Sequence, residues 1–412
     1  MYVRKIAFLE IFLPITILAF LGQGTHFVDR THIADFRFLF LGLMFAYLFL
    51  HRHILLCVKN SAWLFLLMLY LIWCMSTSAW SEVPLLSFSK SGMFALTVVT
   101  LISAGSIWVL QFGFERSLNW LFFIVVISLA SGVFGYRGAA PTPAAELVWN
   151  KALSTNPNNF GFLLSLSVPF ILWKCYQVKD NKYTLLLWLT FLIVNIYFLF
   201  SSYSRSSIAT FFSIVLFFTL SLPLSKKILT TFCSFFAVLI ILLTIPMHSM
   251  ETFVLQHLTK KTEAQATSNV ILASRQSKWE KSYRNAMKGG IMGVGFGATA
   301  GDQSVTIENY REYGREKGNA QLAIMEETGI IGLILSSGLI IIFLMQIIPY
   351  YFRMQGIEKV TMGLVLGIIV GLLLESIVEG WWDSLGPEVI CFWTLVGIAF
   401  GMVFLKKIQS HE

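Results

Sequence analysis

Apolar residues run along this chain in long blocks, interrupted at short intervals by small groups of polar and basic residues. A bilayer hydrocarbon core about 30 Å thick takes about 20 mostly apolar residues per helix. On that measure the blocks predict about twelve transmembrane helices. They lie near 6–21, 36–50, 62–79, 92–110, 118–134, 160–173, 183–200, 206–221, 228–247, 322–349, 360–379 and 388–405. The sixth is short for a span, which predicts that it is extended or tilted. The first block follows Arg4-Lys5 and has no small-x-small cleavage pattern after it, so it reads as a membrane helix and not as a removed signal. No pair of matching halves with interrupted helices, the mark of many secondary transporters, stands out. The predicted fold is an all-α integral membrane protein in three parts. Spans one to nine occupy 1–247, one large polar loop occupies 248–318, and spans ten to twelve occupy 319–412.

Basic residues set the orientation. With both termini cytoplasmic, the inner segments carry fourteen Lys and Arg, from Arg4 and Lys5 to Lys406 and Lys407. The short outer loops carry six: Arg30, Arg37, Lys90, Arg137, Lys151 and Arg205. This positive-inside bias places 248–318 on the outer face. Ten further basic residues lie in that long loop. Long translocated segments are exempt from the charge rule, so these residues read either as a solvated face or as a site for an anionic ligand. Composition agrees with a membrane solvent: 56% of the 412 residues are hydrophobic, 13% are charged and 37 are Phe. The net charge of +8 sits between apolar blocks and not on an aromatic-and-basic module, which excludes a nucleic-acid partner. The five cysteines lie in or beside apolar segments without disulfide or zinc spacing, and the histidines form no metal motif.

Four places carry candidate chemistry. In the loop, Arg275, Trp279 and Tyr283 recur at a spacing of four on one helix face, beside a basic stripe of Lys278, Lys281, Arg284 and Lys288. Such an amphipathic helix suits a membrane interface, and arginine suits pyrophosphate because its planar fork donates parallel charge-assisted hydrogen bonds. The run from Gly289 to Gly297 follows. It formally continues as G-x-G-x-x-A, but a dinucleotide site would need a strand before it and a parallel sheet around it. Two readings remain for these glycines, a close backbone approach or amides offered to a phosphate. Arg205, in a serine-rich turn from Ser201 to Ser207, opens the eighth span, where an ionisable group marks either a snorkelling side chain or a functional site. Finally Glu375, Glu379 and Asp383 share one face at the end of span eleven, flanked by Trp381 and Trp382. They read either as structural partners of the arginines or as acid–base groups.

Taken in order, these stretches resemble the O-antigen ligase/polymerase family of membrane glycan transferases. Asn156-Pro157-Asn158-Asn159-Phe160-Gly161 resembles its asparagine-rich helix start, and Ser204-Arg205-Ser206 its Ser-Arg motif. Arg275 to Trp279 followed by Gly293-Val294-Gly295-Phe296-Gly297 resembles its R-x(3)-W and G-x-G loop. Gly318-Asn319-Ala320-Gln321-Leu322 followed by Glu327-Thr328-Gly329-Ile330-Ile331-Gly332 resembles its H-N-x-x-L and E-x-G-x-x-G stretch. The resemblance covers roughly 150–340. It implies a metal-independent enzyme without cofactor in the bacterial inner membrane, its active face periplasmic. The donor would be a glycan on undecaprenyl pyrophosphate; the acceptor would be another lipid-linked glycan in a polymerase, or the lipid A core in a ligase. The resemblance carries pyrophosphate binding to Arg205 and Arg275. Glu327 and Glu379 are the further candidate reacting groups. Asn158, Ser204, Lys278 and Trp279 are expected at the substrate, as are Arg284, Lys317 and Asn319. One departure matters: family ligases carry histidine where this chain has Gly318, which favours a polymerase and leaves the base open among Glu316, Glu327 and the span-eleven carboxylates. A lipid-glycan transporter or flippase is the alternative of another class. It predicts ionisable residues at mid-membrane, where Glu10 is the main example.

Overall fold

A computed structural model describes residues 7–21, 36–59, 61–134, 136–139, 148–152, 157–202, 204–223, 270–299, 318–382 and 385–411. Within them the chain is α-helical apart from one short hairpin. The first five helices are α1 (Ala7–Leu21), α2 (Phe36–Leu50), α3 (Ala62–Ser76), α4 (Pro84–Phe112) and α5 (Phe122–Phe134). Strands β1 (Tyr136–Ala139) and β2 (Val148–Ala152) then pair antiparallel, with Gly138 opposite Trp149 and Ala139 opposite Val148. The remaining helices are α6 (Pro157–Gln177), α7 (Lys182–Ser201), α8 (Arg205–Ser221), α9 (Val270–Gly289), α10 (Ala320–Arg353), α11 (Gly356–Ser376) and α12 (Pro387–His411).

Among the described residues eight helical segments are long and apolar enough to cross a membrane, which fits a multi-pass α-helical membrane protein. They are α3 with its 3-10 extension, α4, α5 with the turns before it, α6, α7, α10, α11 and α12. Helices α1, α2 and α8 are apolar but shorter. Eleven of the expected spans therefore coincide with observed helices, while the expected ninth, 228–247, lies outside the described residues together with 248–269 and 300–317. The short sixth block becomes a 21-residue helix that begins on Pro157 and runs to Gln177. Proline at the first helical position gives up no hydrogen bond and presets φ. The hairpin is an addition to the predicted elements. Val148 and Trp149 are residue types that favour strands.

Two helix pairs form the centre, α8 with α11 and α4 with α12. Lipid gives apolar helices no hydrophobic reason to associate, so small residues that admit close backbone contact decide the seams. On α11, Gly363, Gly367 and Gly371 face α8; a Cβ added to Gly367 would lie 2.8 Å from the Ile214 Cα, and one added to Gly371 2.6 Å from the Thr210 Cγ2. Ser213 of α8 also donates to the Gly367 carbonyl at 2.9 Å. On the second seam a Cβ at Gly401 would lie 2.7 Å from the Ser106 carbonyl oxygen. Helix α7 is peripheral and leaves Tyr183, Leu186, Ile193 and Tyr197 exposed. In water such a face would be an unmanaged apolar patch; in lipid it is the solvent-facing side. At one end of the bundle Lys406 and Glu358 pair at 2.7 Å, tying α12 to the start of α11.

Candidate functional site

The other end of α11 gathers groups from distant parts of the sequence. Asn319 caps α10: its Oδ1 accepts the Leu322 N–H at 2.8 Å, and its Nδ2 donates to the Ile377 carbonyl just past α11, also at 2.8 Å. An N-cap side chain of this kind satisfies one of the helix's orphan amides. Gln321 donates to the Ser376 hydroxyl at 2.8 Å. From α9, the Trp279 indole donates to the Gly318 carbonyl at 3.0 Å, and the Gly318 N–H donates to Ser282 at 3.3 Å. Thus α9, the head of α10 and the tail of α11 are bound into one unit by backbone-directed contacts.

At the same α11 terminus, Asn158 in the first turn of α6 donates to Glu379 Oε1 at 2.9 Å. The Glu379 N–H donates to the Glu375 carbonyl at 3.0 Å, continuing the helical path past Ser376. Glu375 is 2% exposed. The Ser206 hydroxyl donates to its carboxyl, and Glu379 and Glu388 lie within electrostatic range. Ser206 belongs to the turn that opens α8. There Ser204 precedes the helix with extended backbone (φ −84, ψ 97), and its hydroxyl pairs with Ser207 at 2.8 Å. Gly161, one turn along α6 from Asn158, lets this turn approach: a Cβ there would lie 2.9 Å from Ser207 Oγ and 3.0 Å from Ser202 Oγ. Arg205 is half-buried at the first position of α8, between the buried Ser204 and Ser206. Arg205 thus opens a helix, and a helix N-terminus and a guanidinium both favour an anion.

The glycine run resolves one of the two open readings. Gly293, Gly295 and Gly297 take φ of 81, 118 and 74, a left-handed region that costs glycine little. Their amides are already engaged. The N–H groups of Gly293, Val294 and Gly295 donate to the carbonyls of Gly289, Glu326 and Glu327. Phe296 N–H donates to the Thr77 hydroxyl at 2.9 Å, Gly297 N–H to Glu327 Oε2 at 2.6 Å, and Ala298 N–H to the Gly295 carbonyl at 3.0 Å. No amide from 293 to 298 is left for a phosphate, so the run serves close backbone approach. Its counterpart is a break in α10: Gly329 has φ 71 and ψ −173, and the loop's own carbonyls at Gly290 and Ile291 accept from Ile330 and Ile331. Trp73 and Trp80 fasten this unit to the first half of the chain by donating to the Thr328 and Gly293 carbonyls at 2.9 and 3.1 Å.

Among the expected site residues, Asn158, Ser204, Arg205 and Glu379 thus lie around the end of α11, and Trp279 and Asn319 are tied to it by the Gly318 turn. Glu327 is apart from them in role: fully buried and bonded to the Gly297 amide, it braces the loop. Arg284 is exposed on α9, its Nε donating to the Glu280 carbonyl at 3.4 Å. Arg275 and Lys278 belong to the α9 backbone, but their side chains lie outside the described residues, as do Glu316, Lys317 and Asp383. The expected meeting of Arg205 with Arg275 therefore also lies outside them. Sequence reasoning missed Ser206 as a carboxylate partner, Glu388, and Thr77. The i, i+4 face already pointed to Glu375, but nothing in a linear pattern places α12's first turn beside it. Among the described residues no group of three His, Cys, Asp or Glu side chains is placed to hold a metal ion. No protein-family model matches the chain, and no curated protein matches it.

Proposed function

We propose that this chain is a membrane glycosyltransferase that moves a glycan from an undecaprenyl-pyrophosphate carrier to an acceptor at the outer face of a bacterial inner membrane. In this reading it has twelve spans, both termini are cytoplasmic, and 248–318 is periplasmic. The observation that carries the proposal is convergence. Asn158, the Ser204–Arg205–Ser206 turn, the Trp279–Gly318–Asn319 contact and the Glu375–Glu379 pair come from separate parts of the chain and surround one end of α11. All but the Glu375–Glu379 pair belong to the stretches on which the resemblance to the O-antigen ligase/polymerase family rests.

The chemistry follows from charge. Cleaving a sugar from pyrophosphate leaves negative charge on the leaving oxygens, and fixed cationic donors stabilise it more in the transition state than in the ground state. Arg205, held at a helix start between buried hydroxyls, is the first such donor, and Arg275 on α9 is the proposed second. Asn158 and Asn319 hold the walls in place through contacts to Glu379 and Ile377. Glycine at 318 presents only backbone, and Trp279 and Ser282 already use it, so nothing at that position serves an acceptor. This favours a polymerase, whose acceptor is a second lipid-linked glycan.

The test is a deletion strain complemented with wild type, Arg205→Ala or Arg275→Ala, with surface glycans resolved by length. Long chains restored by wild type alone, against single repeats in the arginine variants, support the polymerase. Bare lipid A core with long glycan retained on the carrier identifies a ligase. Full-length surface glycan in both arginine variants refutes the site.

A further inference from the structure

Two buried polar atoms along the α8–α11 seam lack any partner. One is Oε2 of Glu375, a residue 2% exposed. The other is Oγ1 of Thr210, which is fully buried one turn along α8 from Ser206 and faces Gly371, one turn before Glu375 on α11. Buried polar groups are otherwise almost always paired, and an unmet acceptor costs its full desolvation. The other carboxylates named above differ. Glu379 accepts from Asn158, and Glu327 accepts from Gly297. Glu375 is thus held by Ser206 while its Oε2 awaits a donor. A hydroxyl group supplies what Glu375 Oε2 lacks, a donor.

We propose that Glu375 is the catalytic base, its Oε2 taking the proton of the acceptor sugar's hydroxyl. This rests on the transferase reading above. The acceptor oxygen forms its bond to the anomeric carbon of the donor as the bond from that carbon to the pyrophosphate oxygen breaks. The electron pair of the broken bond stays on the pyrophosphate beside Arg205, and the hydroxyl proton passes to Glu375. The titratable groups facing Glu375 are Glu379 on its own segment and Glu388 at the start of α12, and the Ser206 hydroxyl, next to Arg205, faces it from α8. The hydroxyl enters from the side where Glu379, Asn158 and Arg205 are partly exposed.

The experiment uses full-length protein in lipid nanodiscs. The substrate is the lipid-linked saccharide pool extracted from a strain lacking the gene. Glu375→Gln keeps the shape and an acceptor for Ser206 but cannot take up a proton. General-base removal typically lowers rate about 100-fold or more, so the maximal rate falls by that factor while the half-saturating concentration of donor stays within about twofold. Wild-type turnover with an undiminished Glu375→Gln rate overturns the assignment and leaves the transferase reading standing. Absence of turnover by wild type overturns that reading, and this inference with it. If Glu375→Gln does not fold, the wild-type pH–rate profile decides. A rate that rises through one ionisation to a plateau supports a carboxylate base, and a rate flat from pH 4 to 9 refutes it.

Discussion

Asn319 makes two contacts that separate its structural work into measurable parts. Its Oδ1 caps α10 at the Leu322 amide, and its Nδ2 bridges to the Ile377 carbonyl beyond α11. Replacing an N-cap asparagine by alanine costs about 1 kcal/mol, and a second neutral hydrogen bond contributes about 1 kcal/mol net. Asn319→Ala is therefore expected to lose about 2 kcal/mol. Asn319→Asp keeps the acceptor for Leu322 but has no donor for Ile377, so it loses only the second share, about 1 kcal/mol. The assay is reversible unfolding in mixed micelles titrated with SDS, followed by tryptophan fluorescence, with both variants compared with wild type. The expected order is wild type, Asp, then Ala, in roughly equal steps. An Asp variant as damaged as Ala refutes the partition, and an Ala variant indistinguishable from wild type refutes the bridge altogether.

Two further predictions concern the frame of the site. Glu327→Leu strands the buried Gly297 amide and is expected to cost about 2 kcal/mol and to expose 290–298 to limited proteolysis, whereas Glu327→Gln retains an acceptor there. A Gln variant of wild-type stability that abolishes transfer would show that Glu327 reacts and does not merely brace. Gly371→Val drives a branched side chain into Thr210, while Gly42→Val on α2 meets nothing within 4 Å. Overpacking of this kind costs about 1–3 kcal/mol, so the first variant is expected to unfold at a lower SDS fraction and the second to match wild type.

Much of the fold was legible because lipid imposes a simple rule on sequence. A span must be long and apolar, and α1 to α8 and α10 to α12 fall on blocks that satisfy it or come close. What hydropathy does not register is a change of direction inside an apolar block. Gly329 sits among Thr328, Ile330 and Ile331, so the break in α10 leaves no trace in a hydrophobicity average. The glycine run was visible, but its use depends on carbonyls some 35 residues away, which no local pattern encodes. The site was legible in part. The Ser-Arg turn and the α11 carboxylates stand out because charge near lipid is costly. The partnership of Ser206 with Glu375 is a contact between helices and becomes visible only when Gly363, Gly367 and Gly371 have set the register of their seam.

The knot of contacts around the glycine run also fixes a chronology. Its partners extend from Trp73 and Thr77 near the start of the chain to Ile331 in its last third. A ribosome releasing this chain into a membrane would have inserted α1 to α8 well before Glu327 and Ile331 emerged. Until then Val294 and Gly295 lack the Glu326 and Glu327 carbonyls and Gly297 lacks the Glu327 carboxylate, so half of the amides from 293 to 298 are without their mates. The packed loop is thus a late product of biogenesis. A nascent chain stalled before α10 would be a bundle without this knot, and quality control has a long interval in which to remove it.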